Sequence, residues 1–213
     1  MSFQRPRAEP LRLPGPGGVL QALLEDPHAA MPPGQVVSGF GVVCHPHPLY
    51  GGTMINKVVH TLARALQEQG LPTLRFNYRG VEQSEGQYDG GRGETADALA
   101  VIAWGRERWP QASLTLAGFS FGAMIALRAA PAARPARLIT VAPPVTHEEF
   151  GAIQTPSCPW LIVQGEADEV VDHRQVAAFA ARFSPPPVLR LLPGVDHFFN
   201  GRLAELREAV LQG

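Results

Sequence analysis

After Pro33 the chain alternates short apolar runs with longer amphipathic ones, and this alternation limits its fold more than any other property. The short runs are "VVSGFGVVC", "TLRFNY", "SLTLAGF", "RLITVAP", "WLIVQG" and "VLRLLPG", each bounded by Gly, Pro or polar residues. Such continuous apolar stretches suit strands buried on both faces. Between them, Val58, Val59, Leu62, Ala63 and Leu66 recur at helical spacing, as do Leu99, Ile102 and Ala103, and later Leu203, Leu206 and Val210. Strand, helix, strand, repeated, predicts the α/β class: a mostly parallel, twisted sheet with helices on both faces. Upstream, "LRL" and "VLQALL" flank "PGPGG", which predicts an antiparallel hairpin at the sheet's edge. A chain of 213 residues supports one sizeable core, so residues 1–213 are expected to form a single domain with 1–10 as a frayed N-terminal segment.

Charge narrows the function. Eighteen Lys and Arg stand against nineteen Asp and Glu, so there is no basic field for a nucleic acid and no polybasic surface for anionic lipid. The opening "MSFQRPRAEPLRLPGPGG" breaks any apolar leader with charges and prolines, and no later run reaches membrane-spanning length. A cytoplasmic protein follows as the expectation. Cys44 and Cys158 are too few and too far apart for a disulfide framework or a zinc site.

Ligands of open α/β sheets gather at the carboxyl ends of the strands, where "TLAGFSFGAM" sets Ser120 between a strand-like run and a helix-like one. Gly118 and Gly122 flank it as G-x-S-x-G, the pattern of a sharp strand-to-helix turn that lifts a serine hydroxyl into solvent. The helix amino end then aims the Phe121 NH and the positive end of its dipole at a developing oxyanion. A serine nucleophile needs a base, and the base an orienting acid. His197, in "LLPGVDHFF" between the last strand and the last helix, opens on the same edge and is the candidate base. His173, at a helix start, and His147 read as surface residues. For the acid, "GEADEVVDH" offers Asp168 just beyond a strand end, with Glu166 and Asp172 as alternatives; Asp196 adjoins the histidine and is badly placed to hold its ring.

A second oxyanion donor is expected from "HPHPLYGGTMIN" after the strand "FGVVC". Pro46 and Pro48 have no NH, which leaves His47, with Gly51 and Gly52 letting the loop fold close. The alternating histidines do not form a metal site, because alternate residues of an extended segment point opposite ways and no third ligand is near. His45 is read instead as bracing the loop through hydrogen bonds.

Taken in order and spacing, "HPHPLYGGTMINKVVHTLARAL", "FNYRGVEQSEGQYDGGRGETADA", "GFSFG", "GEADEVV" and "GVDHFF" resemble the α/β-hydrolases, in particular the small lidless bacterial serine hydrolases related in fold to dienelactone hydrolase. The resemblance spans nearly the whole chain. It implies a Ser120, Asp168 and His197 triad acting on esters or thioesters without metal or organic cofactor, and places Arg79 and Gly80 near the site's rim. Dienelactone hydrolase carries a cysteine nucleophile where this chain has serine, so its lactone substrate is not carried over. Lids in this fold follow the sixth strand; here the segment from Val141 to Trp160 is about eighteen residues, too short for a lid domain. An open groove lined by Tyr50, Phe121, Phe198, Phe199 and Arg79 is expected to take small to medium acyl groups, with the two phenylalanines after His197 equally readable as core anchors. Acyl transfer, peptide cleavage and a non-catalytic binding role remain as alternatives, and the oligomeric state is open.

Overall fold

The computed structural model describes residues 8–29, 37–146 and 153–213. Among these, eight strands share one sheet in the order β1 (Ala8–Gly15), β2 (Gly18–Glu25), β4 (Thr73–Phe76), β3 (Gly39–Cys44), β5 (Ser113–Phe119), β6 (Arg137–Val141), β7 (Trp160–Gly165), β8 (Val188–Leu192). β1 and β2 form the expected edge hairpin, with Gly15 opposite Gly18, and β2 runs antiparallel to β4. Every neighbouring pair from β4 to β8 is parallel. The N-terminal segment is ordered sooner than its prolines suggest: Ala8, Glu9 and Pro10 already pair with Glu25, Leu24 and Leu23, because an edge strand tolerates proline. Residues 1–7 lie outside the described part, as does His147.

The period of two sorts each strand between two cores. Phe40, Val42 and Cys44 join Leu116, Leu138 and Ile162 beneath α2 (Arg92–Arg108), α3 (Phe121–Ala133) and α4 (His173–Ala180). Val43, Ala117, Phe119, Ile139 and Val163 face α1 (Lys57–Glu68) and α5 (Leu203–Gln212). α1 buries the predicted Val58, Val59, Leu62, Ala63 and Leu66 completely, and full burial of each larger side chain stabilises by roughly 1.5–3 kcal/mol. Asn56 caps it, accepting from the NH groups of Val58 and Val59.

Two expectations fail in instructive ways. In α2 the buried side is Glu94, Asp97, Ala98, Val101, Ile102 and Gly105, whereas Ala103 is exposed and Leu99 half-buried. Two carboxylates face inward there because each binds donors of the preceding loop, so apolar periodicity misplaces the face. β8 is not buried on both sides: it pairs only with β7 and its side chains stay half to fully exposed, the result of an edge position.

The chain leaves β3 toward β4 on one side and later fills β5 to β8 on the other. The loops after β3 and β5 therefore part at their carboxyl ends, opening a crevice at that switch point. Between β6 and β7 the described residues form no helix and no lid domain. No helix among the described residues is long and apolar enough to cross a membrane.

Candidate active site

The crevice is centred on Ser120. β5 ends at Phe119 and α3 begins at Phe121, which leaves Ser120 at φ 53° and ψ −120°. That conformation costs an L residue on the order of 1–3 kcal/mol and persists only where the surroundings enforce it. Here the Ser120 NH donates to the Val141 carbonyl at 2.8 Å, tying the turn to β6. Close packing does the rest: a β-carbon on Gly118 would lie 2.1 Å from the Gly122 carbonyl oxygen, and one on Gly122 would lie 2.2 Å from that of Cys44. Strand, helix and β3 thus meet at distances that only glycine allows. Phe121 is the first residue of α3, so its NH has no carbonyl partner within the helix.

His197 reaches the serine from the loop after β8, and its Nε2 stands 3.2 Å from Ser120 Oγ. On the other side of the ring, Nδ1 donates to Asp168 Oδ2 at 2.8 Å. A carboxylate only accepts, so the proton of the neutral imidazole sits on Nδ1 and Nε2 offers its lone pair to the serine hydroxyl. Asp168 lies just past the end of β7, inside a turn that closes around its carboxylate. Oδ1 accepts from the NH groups of Val170 (2.8 Å) and Val171 (2.7 Å), and Oδ2 accepts also from Gln164 Nε2 (2.9 Å). The Asp168 side chain is fully covered and that of His197 is 4% exposed. Burial pushes the Asp168 pKa up, but the hydrogen bond from His197, the Val171 NH, electrostatic attraction to His197 and the Val170 NH together outweigh it, and the group stays below the usual carboxylate range.

Of the alternatives for the acid, Glu166 is exposed just past β7 and Asp172 is engaged elsewhere. Asp172 caps α4 through the Arg174 NH, and Asp196 accepts from the backbone and side-chain nitrogens of Asn200. Asn200 also takes a hydrogen bond from Lys57, so the loop carrying His197 is tied to the start of α1. His173 is the first residue of α4, as read.

The loop after β3 is built on His45. Its Nε2 accepts from the Tyr78 NH (3.1 Å), so Nδ1 carries the proton and donates to the Pro46 carbonyl (2.7 Å). Burial, opposed by the hydrogen bond to Pro46 and aided by His47, pushes the His45 pKa down to about 3, so the ring is neutral. Carbonyl and NH of one trans peptide point opposite ways, so holding the Pro46 oxygen also aims the His47 NH. The His47 ring accepts from the Leu49 NH at Nδ1 (3.2 Å) and donates from Nε2 to the Tyr88 hydroxyl oxygen (3.2 Å), with Phe121 packed against it at 4.7 Å between ring centroids. Tyr88 in turn belongs to a loop fastened at both ends. Asp97 accepts from the Arg79 NH, Nε and Nη2, and Glu94 accepts from the NH groups of Asp89 and Gly91.

Ser120 and His197 open into a cavity of about 270 Å³ whose walls include His47, Tyr50, Asn56, Val170 and Phe198. Three predicted lining residues are not among its walls, the first being Phe121, which is buried behind the His47 ring. Phe199, with φ 54°, turns inward, is fully buried and packs on Phe119, so of the two phenylalanines one lines the cavity and the other anchors the loop. Arg79 belongs to a neighbouring cavity, held by its bidentate pair with the buried Asp97, at 2.7 Å for Nη2. Among the described residues no group of three His, Cys, Asp or Glu side chains is placed to hold a metal ion.

The α/β hydrolase fold family matches residues 43–155. A protein of Rickettsia prowazekii, itself uncharacterised, is 36% identical over 180 residues, 79% of this chain and 75% of its own. The chain belongs to the α/β-hydrolase family. Among solved structures, this hydrolase fold superposes on an alpha-beta serine hydrolase homologue from Coxiella burnetii with a TM-score of 0.90 and 47% identity, covering 99% of each chain. A serine hydrolase without lid from Xanthomonas campestris matches with a TM-score of 0.89 and 40% identity over 100% of this chain and 95% of its own.

Several residues of the α/β-hydrolase site escaped sequence reasoning. Gln164 donates to the same Asp168 oxygen that His197 uses, and its only sequence mark is a lone amide inside the apolar run "WLIVQG". Tyr88, Asn56 and Val170 come from loops whose register relative to the serine is set only when the strands align.

Proposed function

We propose that the protein is a serine hydrolase that cleaves esters or thioesters of small to medium acyl groups through an acyl-enzyme. The observation that carries this reading is the unbroken hydrogen-bond line from Ser120 Oγ through both nitrogens of His197 to Asp168, with the lone pair on the serine side. In the first half, His197 takes the Ser120 proton as Oγ attacks the carbonyl carbon. The negative oxygen that forms is received by the NH groups of Phe121 and His47. The imidazolium is stabilised by Asp168, and it passes its proton to the departing alcohol or thiol as the tetrahedral centre collapses. In the second half the same nitrogen deprotonates water, which attacks the acyl-enzyme, and the imidazolium returns the proton to Ser120 Oγ as the carboxylic acid departs.

The surroundings support hydrolysis. Tyr50 and Val170 at the mouth are 87% and 62% exposed, so water reaches the bound acyl group. The modest cavity suits the reacting centre of a small-molecule ester or thioester rather than a folded polypeptide. Both cysteines are free thiols, in keeping with a cytosolic setting.

Ser120→Ala is expected to abolish hydrolysis of short p-nitrophenyl esters while leaving the thermal unfolding transition in place, and a fluorophosphonate is expected to label the wild type at Ser120 alone. Wild-type turnover by the alanine variant, or labelling at another residue, would remove the serine from the reaction.

A further inference from the structure

The cavity at Ser120 does not end at its own walls. Gly51 and Gly52 are shared with a second cavity of about 410 Å³, lined among others by Pro48, Leu49, Val81 and Tyr88. A β-carbon built on Gly51 would meet no atom within 4 Å, so nothing stands over that residue, while Gly52 packs on the Pro46 carbonyl oxygen beneath it. Ligand cavities run from roughly 300 to 1,000 Å³. The serine cavity alone, at about 270 Å³, falls just short of that range, and the joined pair lies within it.

Exposed apolar surface gathers at the same place. Leu49, Tyr50, Ile55, Val170 and Phe198 are five of the six large hydrophobic side chains exposed among the described residues, and all five sit on the loops that frame these cavities. The sixth, Val188, is on the edge strand β8. Apolar patches that survive on a surface mark places where a ligand or partner is bound.

Topology says which half of a substrate enters the second cavity. His197, Val170 and Phe198 come from the connections after β7 and β8, whereas the second cavity is built from the loops after β3 and β4, across β5 from them. The leaving oxygen or sulfur must face His197 Nε2 to receive its proton. With the oxyanion on the Phe121 and His47 NH groups, the acyl substituent is left on the side away from His197, where the cavity sharing Gly51 and Gly52 lies. Charge says what that substituent is. Arg79, the one cation among the described residues of the second cavity, is neutralised by Asp97, and the exposed Glu82 at the rim repels an anionic tail.

Resting on the serine-hydrolase reading above, we infer that the substrate carries an extended, uncharged acyl chain, which crosses the Gly51–Gly52 saddle into the cavity of Pro48, Leu49, Val81 and Tyr88. The alcohol or thiol portion stays short or solvent-exposed beside Val170 and Phe198.

Two ester series, used below their micelle concentrations, test this: p-nitrophenyl esters from acetyl to decanoyl, and acetates of alcohols of the same lengths. In the acyl series kcat/KM is expected to rise about twofold per methylene as far as octanoyl, since a half-open groove captures roughly half the free energy of full burial. The alcohol series is expected to stay flat. Leu49→Asp is expected to lower the octanoyl-to-acetyl ratio about tenfold, and Leu49→Phe to keep it. A flat acyl series, a rise confined to the alcohol series, or a ratio unmoved by Leu49→Asp would each overturn the inference while acetyl turnover left the serine-hydrolase reading standing. Failure to turn over any ester would remove both.

Discussion

Replacing Asp168 by Asn changes one atom and tests the electrostatic core of the site. The carboxylate accepts four hydrogen bonds, from Val170 and Val171 at Oδ1 and from Gln164 and His197 at Oδ2. Asparagine has a single acceptor oxygen. If that oxygen stays with the two peptide NH groups, its amide hydrogens confront Gln164 Nε2 and the His197 Nδ1 proton. His197 escapes only by moving its proton to Nε2, where it points at Ser120 and removes the lone pair that would act as base. The flipped amide is no better, since it sets two hydrogens against two backbone donors. Two hydrogen bonds to a charged group, at roughly 1.5–3 kcal/mol each, are lost or reversed; after relaxation, about 2–4 kcal/mol of stability is expected to disappear. The larger effect is kinetic, a fall in kcat/KM of about 10³–10⁴-fold for p-nitrophenyl acetate near neutral pH, the scale at which a mis-set imidazole tautomer acts. Urea unfolding, steady-state kinetics and ¹⁵N NMR of the His197 ring measure the three consequences separately. A folded Asp168→Asn variant retaining more than about a tenth of wild-type kcat/KM, or still protonated at Nδ1 of His197, would refute the reasoning.

Further predictions concern the scaffold of the site. Because His45 is buried neutral with a pKa of about 3, the folded protein binds one proton fewer than the unfolded chain at pH values between that and the ordinary histidine value of about 6.5. Its contribution to stability is therefore whole above about pH 6.5 and lost as pH falls, by up to roughly 1.4 kcal/mol per unit. Urea midpoints from pH 7 to 5 are expected to fall more steeply for wild type than for His45→Gln, and equal slopes would contradict the assignment. Gly122→Ala would press a methyl against the Cys44 and His45 carbonyl oxygens, at 2.2 and 2.6 Å, which are backbone atoms with no room to yield. A loss of roughly 1–3 kcal/mol is expected, with a lowered Tm and reduced turnover as the elbow moves off the His47 loop; an unchanged Tm would show that β3 and α3 are not packed as described.

What the sequence determined by itself is local. The alternation of apolar runs set the class, because a strand that reads "SLTLAGF" or "WLIVQG" must be covered on both sides. The elbow was legible for a related reason: Gly118, Ser120 and Gly122 lie within five residues, and a β-carbon on Gly118 would strike Gly122 inside that span, although what requires Gly122 itself is the approach of Cys44 on β3. Residues whose surroundings come from distant segments were not legible. That the Arg79 side chain is taken up by a carboxylate was not legible, because its partner Asp97 lies eighteen positions on and on a helix whose inward carboxylates break the apolar period. Phe198 and Phe199 were indistinguishable until the positive φ of Phe199 sent one ring out and the other in. β8 looked like a core strand because edge or centre depends on the strand order, which no single run encodes. Gln164 acquires its partner only when a turn closes on Asp168. Tertiary structure decided these points because burial, hydrogen-bond partnership and cavity walls are properties of pairs of segments, and which segments meet is settled by the cooperative packing of the sheet.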